Sequence, residues 1–144
     1  MSIERIVVGV DGSPGSEQAL RWTAELAADL GAAVTCVHAF EPLRHLDEVG
    51  PDVDLHRLRD EVTGLARDVW SRPLVDLGVG FEVRVVDGLS ADTIIDVARE
   101  LDADLIVVGG RRMGLLRELA LGSTTRKVLH EARRPVVVIH PPED

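Results

Sequence analysis

Five short apolar runs rich in β-branched residues divide the chain, and polar residues or glycines come directly after most of them. The runs cover residues 3–10, 33–40, 81–86, 103–108 and 135–140. Between them lie segments with apolar residues at helical spacing, such as Leu20, Ala24 and Ala27 in the first segment. These periods predict five strands separated by four helices, the helices covering residues 16–30, 55–77, 90–101 and 123–133.

Turn signals mark several ends of these elements. After the first strand, Asp11 and Gly12 precede Ser13 and Pro14, which predicts a turn with Ser13 as helix N-cap and Pro14 as first helical residue. Gly31 is expected to end that helix. Ser90 is expected to cap the third helix in the same way.

Alternation of strands and helices predicts an α/β fold in which a parallel sheet is covered by helices on both faces. Right-handed crossovers make such a sheet doubly wound and Rossmann-like. With 144 residues and no linker composition, we expect one domain over residues 1–144. Ligands of such sheets bind at the carboxyl ends of the strands, but the pattern alone does not give the strand order.

The fourth strand ends at Gly109, and thirteen positions later Gly122, Ser123 and Thr124 precede the last helix. A strand that ends in glycines and a glycine-hydroxyl turn that opens a helix are typical of a site that offers backbone N–H groups to phosphate. Residues 109–134 hold seven basic and two acidic side chains, a net charge of +5 against −14 for the rest of the chain. A solvated helix face would give a similar composition, so both interpretations stay open.

Composition excludes several classes of protein. The net charge of −9 would repel a polyanionic duplex, so we expect no nucleic-acid partner. No apolar run reaches membrane-spanning length and no secretory signal pattern opens the chain. The one cysteine, Cys36, lies in an apolar run and is expected to be a buried, inert thiol. We therefore expect a cytoplasmic protein without a membrane partner.

Familiar catalytic and metal-binding patterns are missing from the sequence. It has neither a G-x-x-x-x-G-K-[ST] loop nor a G-x-G-x-x-G fingerprint, and its five histidines show no paired ligand spacing, so no metal site is expected. No serine or cysteine has a recognisable base partner. His38 is expected to be a hydrogen-bonded core or rim residue, and Trp22 and Trp70 are expected to pack in helices.

Several segments resemble the universal stress protein family in order and spacing. They are the first strand with Asp11, Gly12 and Ser13, the run Val37-His38-Ala39, the stretch from Val107 to Ser123, and the closing Pro135-Val136-Val137-Val138. The resemblance implies a five-stranded sheet in the order 3-2-1-4-5. It also implies a homodimer formed by antiparallel pairing of the last strand, from Pro135 to His140.

The ATP-binding branch of that family has a glycine, two residues, a second glycine, nine residues, and then Gly-Ser or Gly-Thr. Gly109 matches the first position and Gly122-Ser123 the last, but Arg112 replaces the middle glycine. An arginine there either obstructs the approach of the phosphates or donates its guanidinium to one of them.

The same resemblance implies roles for the remaining site residues. Asp11 lies near the ribose and the metal-phosphate region, together with Val10 directly before it and Ser13 two positions after it. The backbone of Ala39 meets the adenine. Ser123 and Thr124 bind phosphate oxygens. Two simpler interpretations compete: Asp11 as a turn residue that bonds the Ser13 backbone, and Ser123 as an N-cap only.

The leading hypothesis is a nucleotide-responsive stress dimer that binds ATP, with Mg²⁺, between Gly109 and Thr124 and presents the bound state to an unidentified protein partner. We expect no enzymatic activity beyond slow ATP hydrolysis at most. One alternative is a dimeric interaction module of the same family without nucleotide. A weaker one is a flavodoxin-like domain holding FMN, although the pocket loops lack the aromatic residues that usually enclose a flavin.

Overall fold

The computed structural model describes residues 1–41, 54–113 and 118–140, and for 111–113 and 118–120 it describes the backbone alone. The strands in this part of the chain are β1 (Arg5–Gly9), β2 (Ala33–Phe40), β3 (Phe81–Asp87), β4 (Leu105–Gly109), β5 (Arg111–Met113), β6 (Glu118–Ala120) and β7 (Val136–Ile139). The helices are α1 (Pro14–Leu30), α2 (Leu55–Leu65), α3 (Arg72–Asp76), α4 (Ser90–Glu100) and α5 (Ser123–Glu131), with a π-helical turn at Ala66–Trp70. None of these described helices is long and apolar enough to cross a membrane.

The main sheet has five parallel strands in the order β3-β2-β1-β4-β7. Because β7 is its fifth strand along the chain, this confirms the order 3-2-1-4-5. All five strands point the same way, so their carboxyl ends lie at one edge of the sheet. At that edge β2, β1 and β4 are consecutive neighbours.

Strands β5 and β6 form a separate antiparallel pair, in which Arg112 lies opposite Leu119. No strand is predicted at these residues. Each strand has three residues, too few to show the alternation by which a strand is recognised. The connection between β4 and α5 therefore contains a short hairpin.

Helix starts agree with the turn signals in one place and differ in two. Ser13 is the N-cap of α1, its Oγ accepting from the Ser16 N–H at 3.2 Å, and Gly31 ends the helix with a left-handed φ of 67°. Ser90 is not a cap, because Leu89 takes the extended N-cap conformation and Ser90 is the first helical residue. Gly122 is likewise the N-cap of α5, so the interpretation of Ser123 as an N-cap is wrong.

The segment predicted as one helix over 55–77 is divided. Helix α2 passes into the π-helical turn and ends at Ser71, and α3 starts beyond it with Pro73 in its first turn. Proline has no N–H to donate back into a preceding turn, so it belongs at a helix start. Beyond α2, Trp70 of the π-helical turn and Leu74 of α3 both belong to the apolar packing on one face of the sheet.

The two faces of the sheet bury separate apolar clusters. Ile6, Val8 and Val34 pack on one face with α1, whereas Val7, Val37 and Ile106 pack on the other with α4 and α5. Each strand serves both faces because successive side chains alternate. Full burial of one such side chain stabilises the fold by about 1.5–3 kcal/mol.

Cys36 lies within the first of these clusters and is fully buried, as predicted. Loss of solvent raises the pKa of its thiol to about 12, although a hydrogen bond with Ser71 partly opposes the rise. Since the thiolate is the nucleophile, the native protein holds almost none of the reactive form at neutral pH.

We therefore expect native protein to react with Ellman's reagent roughly a thousandfold more slowly than urea-unfolded protein at the same pH. The measurement is the absorbance of the released thiolate over time. A native rate close to the unfolded rate would show that Cys36 is accessible and would contradict its burial.

Candidate functional site

A cleft of about 330 Å³ opens at the carboxyl ends of β2, β1 and β4, within the usual size of small-molecule sites. It is bounded by the loops that follow these strands and by the first turns of α1, α4 and α5. The described residues that line it are Gly9, Val10, Asp11, Ser13, Gly15, Ser16, Val37, His38, Ala39, Glu41, Ser90, Ile94, Val108, Gly109, Gly110, Gly122, Thr124 and Thr125.

The turn between β1 and α1 forms the middle of the cleft. Asp11 Oδ1 accepts from the Ser13 N–H at 2.9 Å, and the Asp11 N–H donates to Ser16 Oγ at 3.0 Å. The turn role of Asp11 is thus confirmed, and among the described residues its second carboxylate oxygen has no hydrogen-bond partner. Gly12 has a φ of +79°, and a Cβ there would lie 2.7 Å from the Trp70 ring.

The first turn of α1 touches the end of β4 backbone to backbone. A Cβ on Gly15 would lie 2.5 Å from the Gly110 carbonyl oxygen, and a Cβ on Gly109 would collide with the Gly15 carbonyl. This contact holds the first turn of α1, which lines the cleft, against the end of β4. Gly109 therefore has a packing role that its match to a phosphate motif does not reveal.

Backbone donors for a ligand come from the start of α5 rather than from Gly110, which follows β4. The Gly110 N–H donates to the Ile139 carbonyl at 2.8 Å, so it is not available to a ligand, contrary to what the strand-end glycines suggest. In α5 the first helical bond runs from the Arg126 N–H to the Gly122 carbonyl at 3.0 Å. The N–H groups of residues 123–125 precede it and lack helical acceptors, and a helix N-terminus of this kind attracts anions.

Thr125 joins this helix start to the sheet. Its Oγ1 donates to the Gly109 carbonyl at 3.2 Å, and its side chain is buried. The bond orients the first turn of α5 over the end of β4, where Gly122 and Thr124 line the cleft.

The end of the cleft at β2 has a different character. His38 Nδ1 lies 2.8 Å from the Val10 carbonyl, so Nδ1 is the donor of this hydrogen bond. The Trp70 ring meets the His38 ring edge-to-face, with 5.3 Å between the ring centroids. His38 is thus hydrogen-bonded at the rim, and Trp70 packs on the core, as predicted. On the same end, Ser90 Oγ donates to Glu41 Oε1 at 3.3 Å.

Seven of the nine predicted site residues line the cleft: Val10, Asp11, Ser13, Ala39, Gly109, Gly122 and Thr124. Ser123 is exposed at the first position of α5 and does not line it. The backbone of Arg112 belongs to β5, and its side chain lies outside the described part of the structure.

Sequence reasoning did not single out Glu41 or Ser90 for the cleft. The available signal for Glu41 was its position directly after β2, at the edge where parallel strands bind ligands. Within the described ranges, no group of three or more His, Cys, Asp and Glu side chains is arranged to hold a metal ion.

A model of the universal stress protein family matches residues 2–140. The chain belongs to this family. It is 33% identical to a universal stress protein of Mycolicibacterium smegmatis over 94% of its own length, but it spans only 47% of that relative, about half. It is 32% identical to a universal stress protein of Thermus aquaticus, with 93% of this chain and 96% of the relative covered.

Solved structures of the family share this fold. The universal stress protein of Archaeoglobus fulgidus in complex with dAMP is 28% identical and superposes with a TM-score of 0.68, over 96% of this chain and 99% of that one. This agrees with the universal stress protein resemblance in the sequence.

The contact between α1 and β4 leads to a prediction about Gly109. Gly109→Ala should lower the free energy of unfolding by about 1–3 kcal/mol, because the added methyl group meets backbone and not a flexible side chain. The measurement is urea unfolding followed by circular dichroism. Gly64→Ala is the matched control, since a Cβ at Gly64 meets nothing within 4 Å. Equal stability of the Gly109 variant and wild type would contradict the close contact.

Proposed function

We propose that this universal stress protein binds an adenine nucleotide in the cleft and acts through the bound state. One observation carries the proposal: the start of α5, whose first N–H groups have no acceptor among the described residues, and the Asp11 turn after β1 line the same cleft. A helix N-terminus suits phosphate, and a carboxylate one strand away suits the hydroxyl groups of a sugar. The relative from Archaeoglobus fulgidus, whose complex contains dAMP, supports adenine as the base of the ligand.

The strand order supports one orientation of the ligand. Neighbouring strands lie about 4.8 Å apart, so the ends of β2, β1 and β4 form a row about 10 Å long. Phosphates belong at β4 with Gly122, Ser123 and Thr124, the ribose at β1 with Val10, Asp11 and Ser13, and the base at β2 with Ala39.

ATP with Mg²⁺ is the form we propose. The described side chains that line the cleft include no lysine or arginine, so charge compensation for a triphosphate must come from the α5 N-terminus, from Arg112, or from a metal ion. Asp11 is the lining carboxylate nearest to the proposed phosphates in the strand order, and its second oxygen is the group in the cleft best suited to Mg²⁺. When bound, Mg²⁺ would neutralise phosphate charge.

Binding rather than turnover is the proposed activity, in the cytoplasm and with a protein partner of unknown identity. A second candidate is the dimeric interaction module without nucleotide. The observation that favours it is Arg112, which replaces a motif glycine and whose backbone is paired in the β5–β6 hairpin. A flavodoxin-like function would instead give a purified protein that absorbs near 450 nm.

The dimer belongs to the proposal and rests on β7. In the described structure β7 pairs with β4 on one side only, and all four of its residues are half-buried. Such an apolar edge is prone to pair with another chain, and symmetric pairing of two copies would cover it.

The proposed binding makes a direct prediction for calorimetry. ATP with Mg²⁺ should titrate with one site per chain, and Gly122→Val should abolish the heat because the branched side chain occupies the space of a phosphate. Gly80→Val is the control, since a Cβ at Gly80 meets nothing within 4 Å. Absence of heat for wild type at millimolar ATP would favour the module without nucleotide, and unchanged affinity in Gly122→Val would place the site elsewhere.

The dimer prediction depends on which backbone groups of β7 face outward. The carbonyls of Pro135 and Ile139 accept from β4, so by alternation Val137 also faces β4 and Val138 turns its N–H to the open edge. Val138→Pro should therefore leave the sheet intact and yield monomers.

The measurement is molar mass by light scattering after size exclusion, with Val138→Thr as the control that keeps the N–H. A dimer of unchanged mass and dissociation constant in Val138→Pro would move the interface to another surface.

A further inference from the structure

The base end of the cleft holds a carboxylate that phosphate binding does not use. Glu41 follows β2 directly, is half-buried and lines the cleft. Ser90, the first residue of α4, donates its Oγ–H to Glu41 Oε1 at 3.3 Å. Among the described residues this is the one hydrogen bond of the Glu41 side chain, and no ion pair neutralises it. One oxygen is thus held in place, and the other receives no hydrogen bond from any described residue.

This carboxylate makes the two ends of the cleft electrostatically different. The N–H groups of α5 lie at β4, whereas Glu41 lies at β2, two strands and about 10 Å away along the row of strand ends. A negative side chain disfavours phosphate at its own end, and a helix N-terminus favours phosphate at the other. A ligand that satisfies both ends carries its anion at β4 and a hydrogen-bond donor at β2.

The surroundings of Glu41 favour a flat ring at this end. Ile94 from α4 is buried, Ala39 offers a small side chain, and the His38 ring is held by its bond to the Val10 carbonyl. When a bound ring displaces water from this half-buried carboxylate, the ring edge must supply a hydrogen-bond donor, because a buried charge that loses a hydrogen bond is costly. In an adenine nucleotide the exocyclic 6-amino group is that donor.

We propose that Glu41, held by Ser90, selects the base by accepting a hydrogen bond from the 6-amino group of adenine. This inference rests on the proposed nucleotide binding and adds to it the residue that distinguishes an amino-bearing purine from one that lacks the amine. Ser90 acts as a positioning residue through Glu41.

The experiment compares ATP, purine riboside triphosphate without the 6-amino group, and dATP, each titrated into wild type, Glu41→Ala, Ser90→Ala and Asp96→Ala by calorimetry. Wild type should bind ATP about ten- to a hundredfold more tightly than purine riboside triphosphate. This is the range expected for a hydrogen bond to a charged group. Glu41→Ala should bind both with equal affinity, and Ser90→Ala should show part of the loss. Asp96→Ala removes an exposed charge from α4 outside the cleft and should keep the full preference.

The outcomes separate this inference from the proposed function. If wild type binds none of the three ligands, the proposed function fails. If wild type binds ATP but Glu41→Ala keeps the full preference over the analogue, Glu41 does not read the amine and the inference is overturned. Loss of the preference for ATP over dATP in Glu41→Ala, with the amine preference intact, would also overturn it, because Glu41 would then read the ribose 2′-hydroxyl. Melting temperatures of the variants check that each is folded.

Discussion

The cleft depends on one backbone contact, that between the first turn of α1 and the end of β4. Gly15, Gly109 and Gly110 let the two backbones approach to a distance at which a Cβ on Gly15 would lie 2.5 Å from the Gly110 carbonyl oxygen. Side chains at these positions would push the helix away from the sheet. The contact brings the Asp11 turn beside β4, and the Thr125 bond to the Gly109 carbonyl then adds the α5 N-terminus to the same place.

As a result, the parts of the cleft differ in the chemical groups that they offer to a ligand. N–H groups without a helical acceptor lie at the start of α5, a turn carboxylate follows β1, and a second carboxylate follows β2 beside apolar side chains. In the proposed complex each of these parts would contact a different part of the nucleotide, so the strand order would set the orientation of the ligand.

Local signals were readable from the sequence because they act on adjacent residues. Ser13, Pro14 and Gly31 behave as predicted, and the alternation of strands and helices gives the α/β class. The strand order came from the family resemblance, since periodicity contains no information on neighbours. Glu41 was missed although it directly follows β2, because its hydrogen-bond partner Ser90 is 49 residues away in the chain. The packing role of Gly109 likewise depends on Gly15, in another element.

The central claim is that an adenine nucleotide lies across β2, β1 and β4 with its phosphates at α5. Amide NMR spectra of ¹⁵N-labelled protein during titration with ATP and Mg²⁺ test it most directly. The account predicts the largest shift changes at residues 122–125 and 11–13, with smaller ones at 39–41 and little change along β7. Saturable changes confined to β7, or to the separate groove that Arg21 of α1 lines with Trp70 and Leu77, with residues 122–125 unaffected, would contradict it.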